Sequence, residues 1–242
     1  MPEVPHPASK GAINRAGEDL RRWWTDISLP ADLIHTEPTF SGAFTLVVHY
    51  RMGFQVPLDK TAIGLRKMVA NEGHEVVVTQ RLKRMPTIID KLARYPQMNL
   101  ARMHDIGGCR AILPSESATR AVVRRVLKRW EVIDVYDYIA GPKATGYRAI
   151  HVVVRRDGRP IEIQLRTPTQ QAWAVEVEGL AQRIVGFSKD GGGPDVLVRF
   201  MRLAAGYTAL MEAGAAADEG LAAEIRELWP EVQPFFDTGI TE

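Results

Sequence analysis

A two-residue turn, Asp157-Gly158, constrains the fold of this chain more than any other feature of its sequence. The segments on either side of it, residues 147–155 and 159–167, have the length and the β-branched composition of strands. An Asp-Gly pair between two such segments favours a tight turn, because both residues tolerate a positive φ angle. The sequence therefore predicts an antiparallel hairpin across residues 147–167.

Hydrophobic periodicity predicts further secondary structure on both sides of this hairpin. Strands are expected at residues 45–50, 75–79, 108–113 and 132–139, and helices at residues 13–24, 57–68, 87–93, 117–130, 168–185 and 196–213. This order predicts an α+β fold, with a mixed β-sheet of about five strands flanked by helices. We expect a core domain at residues 57–188, with helical extensions at residues 1–56 and 189–242.

Size and composition limit the classes of protein to which the chain can belong. Its 242 residues, of which 45% are hydrophobic, suit one sizeable domain with terminal additions. No apolar segment reaches the roughly 18 residues that cross a bilayer, so we expect no membrane insertion. The single cysteine, Cys109, cannot form an internal disulfide, and the first residues lack a signal-peptide pattern, so a cytoplasmic location is expected.

Three polar side chains alternate along the predicted strand 159–167. Glu162, Gln164 and Arg166 share one face of it, and the apolar residues between them share the other face. The polar face belongs either to a half-exposed strand or to the floor of a site. A carboxylate, an amide and a guanidinium group suit a site, because they bind a metal ion or proton, orient a ligand and bind phosphate.

A second carboxylate, Asp105, stands before two glycines in Ile106-Gly107-Gly108, which allow a sharp turn or a close approach to a ligand. On its own, Asp105 is also typical of a turn. Magnesium ions at phosphate-transferring sites are held by one or two carboxylates together with substrate phosphates and water. Asp105 and Glu162 are therefore the predicted Mg²⁺ ligands.

Two groups of residues point to two phosphate-bearing ligands. The first group is Arg81, Lys83 and Lys91; the second is Lys143, Tyr147, Arg148 and His151. The first lies around a strand end and a helix start, where cations and helix amides neutralise a polyphosphate. The second suits a nucleotide, because an aromatic ring stacks on a base while cations bind its phosphates and an imidazole approaches its ribose. Each residue taken singly is also typical of a surface charge or a packed side chain.

These segments, taken in order, resemble the synthetase domain of the RelA/SpoT family. The resemblance extends over about residues 75–183 and includes the glycine motif after Asp105, the segment 137–151 and the strand with Glu162. It implies a nucleotidyltransferase-like synthetase domain. It also implies an enzyme that uses Mg²⁺ to transfer pyrophosphate from ATP to the 3′-hydroxyl group of GDP or GTP, which makes (p)ppGpp.

The resemblance also implies a role for each candidate residue. Arg81, Lys83, Lys91 and Arg110 would bind ATP, and Lys143, Tyr147, Arg148, His151, Gln164 and Arg166 would bind or support the acceptor. Asp105 and Glu162 would bind Mg²⁺, and Glu162 would also deprotonate the attacking hydroxyl group. These two carboxylates and Lys91 form the expected catalytic set.

The chain departs from the family pattern at three places. Thr145 stands where the family usually has Asn, and Asp90 stands where a basic residue is common. Residues 175–178, Val-Glu-Val-Glu, replace the usual Leu-Glu-His. Glu178 is expected to supply the carboxylate of that motif, and Glu176 is the weaker candidate because of its offset on the helix. These departures leave the acceptor open.

A second acceptor fits the same chemistry. Some small members of the family are toxins, held by an antitoxin protein, that modify the 3′-terminal adenosine of tRNA. One face of the predicted helix 117–130 carries Arg120, Arg124, Arg125, Lys128 and Arg129. This basic face is either a solvated surface or a tRNA-binding surface, although the net charge of +2 argues against a dedicated nucleic-acid coat. An antitoxin protein and a second copy of the chain are further candidate partners, and the sequence favours neither.

Overall fold

The computed structural model describes residues 8–25 and 38–237. The outer ends of the predicted extensions, residues 1–7 and 238–242, and the segment 26–37 lie outside the described residues. Within the described ranges, no helix is both long and apolar enough to span a bilayer.

The described residues form eight α-helices and five β-strands. The helices are α1 (Lys10–Thr25), α2 (Pro38–Met52), α3 (Gln55–Asn71), α4 (Met85–Arg94), α5 (Glu116–Arg129), α6 (Pro168–Arg183), α7 (Asp195–Glu212) and α8 (Glu219–Asp237). The strands are β1 (Val78–Leu82), β2 (Gly107–Ile112), β3 (Val132–Asp137), β4 (Ile150–Arg156) and β5 (Arg159–Arg166).

The five strands form one mixed sheet in the order β1-β2-β5-β4-β3. Strands β2 and β5 are parallel, and every other neighbouring pair is antiparallel. The predicted α+β fold is confirmed. The predicted hairpin is confirmed as well, since β4 pairs with β5 across a turn in which Asp157 has φ 48° and Gly158 has φ 75°.

One predicted strand is wrong: residues 45–50 belong to helix α2. A short apolar run does not distinguish a buried helix from a buried strand, because it lacks the alternation of polar and apolar residues that marks either structure. In α2 the side chain of Val47 is fully buried, and Phe40 stacks on Phe44 one helical turn away. The helix packs against α1, so tertiary contacts decide its structure.

A second difference concerns the start of β4, which begins at Ile150 rather than at residue 147. The preceding residues form a turn, in which Gly146 has φ 75° and its amide donates to the carbonyl of Lys143 at 2.7 Å. Helix α7 approaches this turn so closely that a Cβ atom on Gly146 would lie 2.2 Å from Cβ of Ala205. The turn is therefore fixed against α7.

The two faces of β5 meet different surroundings. Ile161, Ile163 and Leu165 are buried in the main core, which helices α3 and α5 cover. The alternating residues Glu162 and Gln164 are only partly buried and lie on the opposite face. The sequence pattern of this strand predicted this division of its faces.

Candidate active site

Two rows of register partners cross the polar face of the sheet. The first row contains Arg81 on β1, Gly108 on β2 and Glu162 on β5. The second row contains Arg110 on β2, Gln164 on β5 and His151 on β4. Side chains at paired positions project from the same face. The fold therefore brings together candidates from distant parts of the chain.

Gly108 leaves a gap in the first row. A Cβ atom at this position would meet nothing nearer than the carbonyl oxygen of Glu162, at 3.7 Å. Bare backbone thus forms the floor between the side chains of Arg81 and Glu162, where a ligand can approach closely.

Both carboxylate oxygens of Glu162 have hydrogen-bond partners. Nδ1 of His151 lies 3.0 Å from Oε1, and Nε2 of Gln164 donates to Oε2 at 2.7 Å. Burial alone would raise the pKa of this carboxyl group, but the hydrogen bond from His151, the charge that His151 carries when it is protonated at low pH, and the hydrogen bond from Gln164 lower the pKa to about 2. Glu162 is therefore an anion at neutral pH.

The hydrogen bonds continue behind His151. The hydroxyl group of Tyr147 lies 2.7 Å from Nε2 of His151 and accepts a hydrogen bond from Nη2 of Arg166 at 2.6 Å. Nη2 of Arg166 also donates to Oε1 of Gln164 at 2.9 Å. Since the side chain of Arg166 is only 1% exposed, its contacts support Tyr147 and Gln164 from below the surface of the site.

The carboxylate of Asp105 binds two of the predicted ATP-binding lysines. Nζ of Lys83 lies 3.0 Å from Oδ2, and Nζ of Lys91 lies 2.9 Å from Oδ1. Burial opposes ionisation of Asp105, but the charges of Lys91 and Lys83 lower its pKa below the usual value. The charge of Glu162 acts on the same pKa in the opposite direction, so the two carboxylates are electrostatic neighbours.

The two carboxylates fit a magnesium ion that binds together with substrate phosphates. Mg²⁺ prefers oxygen ligands and needs one or two carboxylates when phosphates and water complete its shell. Asp105 and Glu162 are both ionised and partly exposed, and each oxygen retains a further lone pair. In the part of the chain that the structure describes, no group of three or more His, Cys, Asp or Glu side chains is arranged to hold a metal.

Lys143 lies on the turn before β4, which is the neighbour of β5 on the side away from β2. Its Nζ lies 2.5 Å from Oδ1 of Asp190 and 4.7 Å from the ring centroid of Tyr138. The ring of Tyr138 stacks on that of Tyr136, with centroids 6.1 Å apart and planes within 6°. A cation beside stacked aromatic rings suits a nucleotide, and the sequence prediction did not include these two tyrosines.

Tyr147 was the aromatic residue predicted to stack on a base, and its side chain is only 2% exposed. The guanidinium carbon of Arg166 lies 5.1 Å from the ring centroid, and Nζ of Lys189 lies 5.5 Å from it. Tyr138 and His151 meet the same ring at steep angles. Base stacking on Tyr147 therefore requires one of these neighbours to move.

Arg148 has a partner outside the two rows. Its Nη2 donates to Oε2 of Glu212 on α7 at 2.6 Å, and both side chains are largely buried. This ion pair connects the turn before β4 to α7. Acceptor binding by Arg148 would require this pair to separate.

The two candidate carboxylates on α6, Glu176 and Glu178, have different surroundings. Glu176 lies 4.0 Å from Arg183 on the same helix. The charge of Glu178 instead acts on the pKa values of Arg110 and Tyr147, which belong to the site. Glu178 is thus the better placed of the two carboxylates.

Sequence reasoning missed one segment of the site, the loop between α6 and α7. Its Lys189 and Asp190 approach Tyr147 and Lys143, as described above. Thr145, which was noted only as a departure, donates its hydroxyl hydrogen bond to the carbonyl oxygen of Lys189 at 2.8 Å. The three consecutive glycines that follow, residues 191–193, give no indication of this contact in the sequence.

Comparison with known proteins supports a relationship in the same region. Residues 80–184 match a family model described as a region found in RelA / SpoT proteins. The chain is 34% identical over 119 residues to a probable guanosine-3′,5′-bis(diphosphate) 3′-pyrophosphohydrolase of Mycoplasma genitalium, which covers 48% of this chain and 16% of that protein. It is 35% identical over 94 residues to a probable chloroplastic GTP diphosphokinase of Arabidopsis thaliana, which covers 38% of this chain and 13% of that protein. The chain thus spans only a small part of either relative.

A solved structure extends the comparison to the fold. Small alarmone synthetase 2 from Bacillus subtilis superposes with a TM-score of 0.57 and 25% sequence identity. The match covers 69% of this chain and 94% of that one. The mixed five-stranded sheet flanked by helices is therefore a synthetase-type fold.

Proposed function

We propose that the protein is a pyrophosphokinase that transfers the β,γ-pyrophosphate group of ATP to the 3′-hydroxyl group of GDP or GTP, because its residues 80–184 match a family model of RelA / SpoT proteins. The product is then (p)ppGpp. Similarity to a probable GTP diphosphokinase and to a small alarmone synthetase supports this proposal. The observation that carries it is the pair of ionised carboxylates, Asp105 and Glu162, with lysines bound to the first and the acceptor-side residues bound to the second.

The donor half of the site binds ATP in this proposal. Its cations are Arg81, Lys83, Lys91 and Arg110. Two of them already contact Asp105, so a phosphate chain that enters beside this carboxylate meets cations at fixed positions. Asp105 and Glu162 would hold Mg²⁺, which, when bound, neutralises charge on the phosphates.

In the transfer step, the 3′-oxygen of the acceptor attacks the β-phosphorus of ATP. The bond from this phosphorus to the oxygen that bridges to the α-phosphate breaks, AMP leaves, and the hydroxyl proton is released. Glu162 accepts a hydrogen bond from the attacking hydroxyl group and aligns it. The lowered pKa of this carboxylate keeps it ionised, so it can align the hydroxyl group and accept its proton as the new bond forms.

The acceptor half of the site lies around Lys143 and His151. Lys143 binds the acceptor phosphates, while His151 and Gln164 hold the Glu162 carboxylate in position. Arg166 contributes indirectly through Tyr147 and Gln164. A guanosine nucleotide is the acceptor that the similar proteins favour.

The 3′ end of tRNA is the alternative acceptor. The position of the basic face of α5 helps to decide between the two acceptors. The apolar side of α5 packs on the sheet face opposite Glu162, so its basic residues are directed away from the site. Two of them already pair within the chain: Arg120 binds Asp137, and Arg125 binds Glu72. A tRNA whose 3′ end lay in the site would have to extend around the sheet to reach this basic face, which favours the nucleotide acceptor.

A single labelling experiment separates the alternatives. Purified protein is incubated with Mg²⁺, ATP labelled on the γ-phosphate, and either GDP and GTP or deacylated tRNA, and the products are separated. We expect label on the guanosine nucleotide. Label on tRNA alone would identify the tRNA-modifying toxic branch and direct attention to an antitoxin partner. Label on neither acceptor would contradict the proposed transfer.

A further inference from the structure

The loop between α6 and α7 is fastened to both halves of the site. Asp190 binds Lys143 on the acceptor side, and the hydroxyl group of Tyr95, just after α4, donates to its other carboxylate oxygen at 3.3 Å. Thr145 donates to the backbone carbonyl of Lys189 at 2.8 Å. The loop closes on itself through hydrogen bonds between Ser188 and Gly192. These contacts hold Lys189 in a defined position.

The ammonium group of Lys189 is directed into the site. Nζ lies 5.5 Å from the ring centroid of Tyr147, whose hydroxyl group is hydrogen-bonded to His151. Within the described residues no carboxylate forms an ion pair with this ammonium group. Burial lowers the pKa of Lys189, and the charges of Lys143 and Lys91 lower it further.

The surroundings of Lys189 therefore include a cation from each half of the site. Lys91 belongs to the donor half and Lys143 to the acceptor half, and the charges of Glu162 and Asp190 act in the opposite direction and favour the protonated form of Lys189. A partly buried ammonium group without an ion-pair partner is costly, and an anionic ligand offsets that cost. In the proposed reaction, the anion that lies between the two nucleotides is the pyrophosphate group that is transferred from one to the other.

We propose that Lys189 is a phosphate-binding residue of this site, which contacts the pyrophosphate group during its transfer from donor to acceptor. This inference rests on the proposed function, since that function supplies the two nucleotides. Lys189 would neutralise charge on the oxygens of the group that is transferred. The loop that carries it would thus complete the site, together with the strands.

The test compares Lys189→Met, which removes the charge and keeps the length, with Lys189→Arg, which keeps the charge. Lys60→Met is the matched control, because Lys60 forms a surface ion pair with Asp157 at the hairpin turn. Transfer kinetics and calorimetric binding of a non-hydrolysable Mg·ATP analogue are measured for each variant. We expect kcat/KM to fall about a hundredfold in Lys189→Met, about tenfold or less in Lys189→Arg, and less than about twofold in the control.

The binding measurement keeps this test separate from the proposed function. If the wild-type protein transfers label to no acceptor, the proposed function fails. A loss of analogue affinity of about tenfold in Lys189→Met would in that case still support phosphate binding by Lys189. Unchanged analogue affinity together with unchanged or increased turnover in Lys189→Met would overturn the inference. Lys189→Gln repeats the measurement if the methionine variant has a lowered melting temperature.

Discussion

The hydroxyl group of Tyr147 lies 2.7 Å from Nε2 of His151 and connects a buried arginine to the central carboxylate. Glu162 is ionised and can only accept, so Nδ1 of the neutral His151 donates to it and Nε2 accepts from the hydroxyl group. The oxygen of Tyr147 in turn accepts from Arg166. Every hydrogen bond in this series therefore has one direction, which fixes the tautomer of His151.

Removal of the Tyr147 hydroxyl group tests this series. Tyr147→Phe keeps the ring but leaves Nε2 of the buried His151 without its donor. We expect the free energy of unfolding to fall by about 1–3 kcal/mol and turnover to fall about tenfold. Urea denaturation and transfer kinetics measure the two effects, with Tyr207→Phe on α7 as the control. Wild-type turnover in Tyr147→Phe would show that the hydroxyl group does not position Glu162 for the reaction.

Glu162 is the residue on which the proposed transfer most depends. Glu162→Gln keeps the size of the side chain but removes a metal-binding charge and the acceptor for the attacking hydroxyl group. Turnover should fall by about a thousandfold or more. The variant should still be folded at the assay temperature, although loss of the stabilising carboxylate charge lowers its melting temperature, and circular dichroism checks both. Glu131→Gln, which changes an exposed carboxylate paired with Arg155, is the control. Transfer at more than about a tenth of the wild-type rate in Glu162→Gln would contradict the role of this carboxylate.

The same substitution tests the acid stability of the fold. The pKa of Glu162 is about 2 in the folded protein and about 4.5 in an unfolded chain, so its ionised form stabilises the fold above pH 4.5. This contribution, on the order of 3 kcal/mol, is lost as the pH falls from 4.5 towards 2. We expect the free energy of unfolding to fall less steeply over this range in Glu162→Gln than in the wild type or in Glu131→Gln. Equal slopes for all three proteins would show that Glu162 does not have a lowered pKa.

Local patterns in the sequence predicted the centre of the sheet well. The Asp157-Gly158 turn and the alternation of Glu162 and Gln164 with apolar residues depend on neighbours one to three positions apart. Such patterns determine both the pairing of β4 with β5 and the polar face of β5. For this reason, the residues at the centre of the candidate site could be predicted from the sequence.

Tertiary contacts explain what the sequence did not indicate. Residues 45–50 are helical because α1 covers them, and Tyr147 is buried because the loop and Tyr138 close over its ring. Lys189 reaches the site because the neighbouring Phe187 is buried in the cluster formed by α6, α7 and α8. None of these contacts leaves a periodic pattern in the sequence.

In the proposed reaction, Asp190 competes with the acceptor for Lys143. The 2.5 Å ion pair between them must open before acceptor phosphates can bind this lysine. Asp190→Asn removes the competing charge, so we expect KM for the acceptor to fall about two- to fivefold with KM for ATP unchanged. Asp157→Asn is the control, because Asp157 pairs with Lys60 at a comparable exposure. A rise in KM for the acceptor would show instead that Asp190 helps to build the acceptor site.

Gly108 offers a steric test of the donor half of the site. It lies between Arg81 and Glu162 in register, and an added Cβ atom would meet only the Glu162 carbonyl oxygen at an ordinary contact distance of 3.7 Å. Gly108→Ala and Gly108→Val should therefore fold, with melting temperatures within a few degrees of the wild type. If ATP phosphates lie on this bare backbone, KM for ATP should rise about threefold for Ala and about thirtyfold or more for Val, because the larger side chain fills the gap. Gly179→Ala on α6, where nothing lies within 4 Å of the added atom, should leave KM unchanged. Wild-type kinetics in Gly108→Val would mean that the phosphates bind away from this floor.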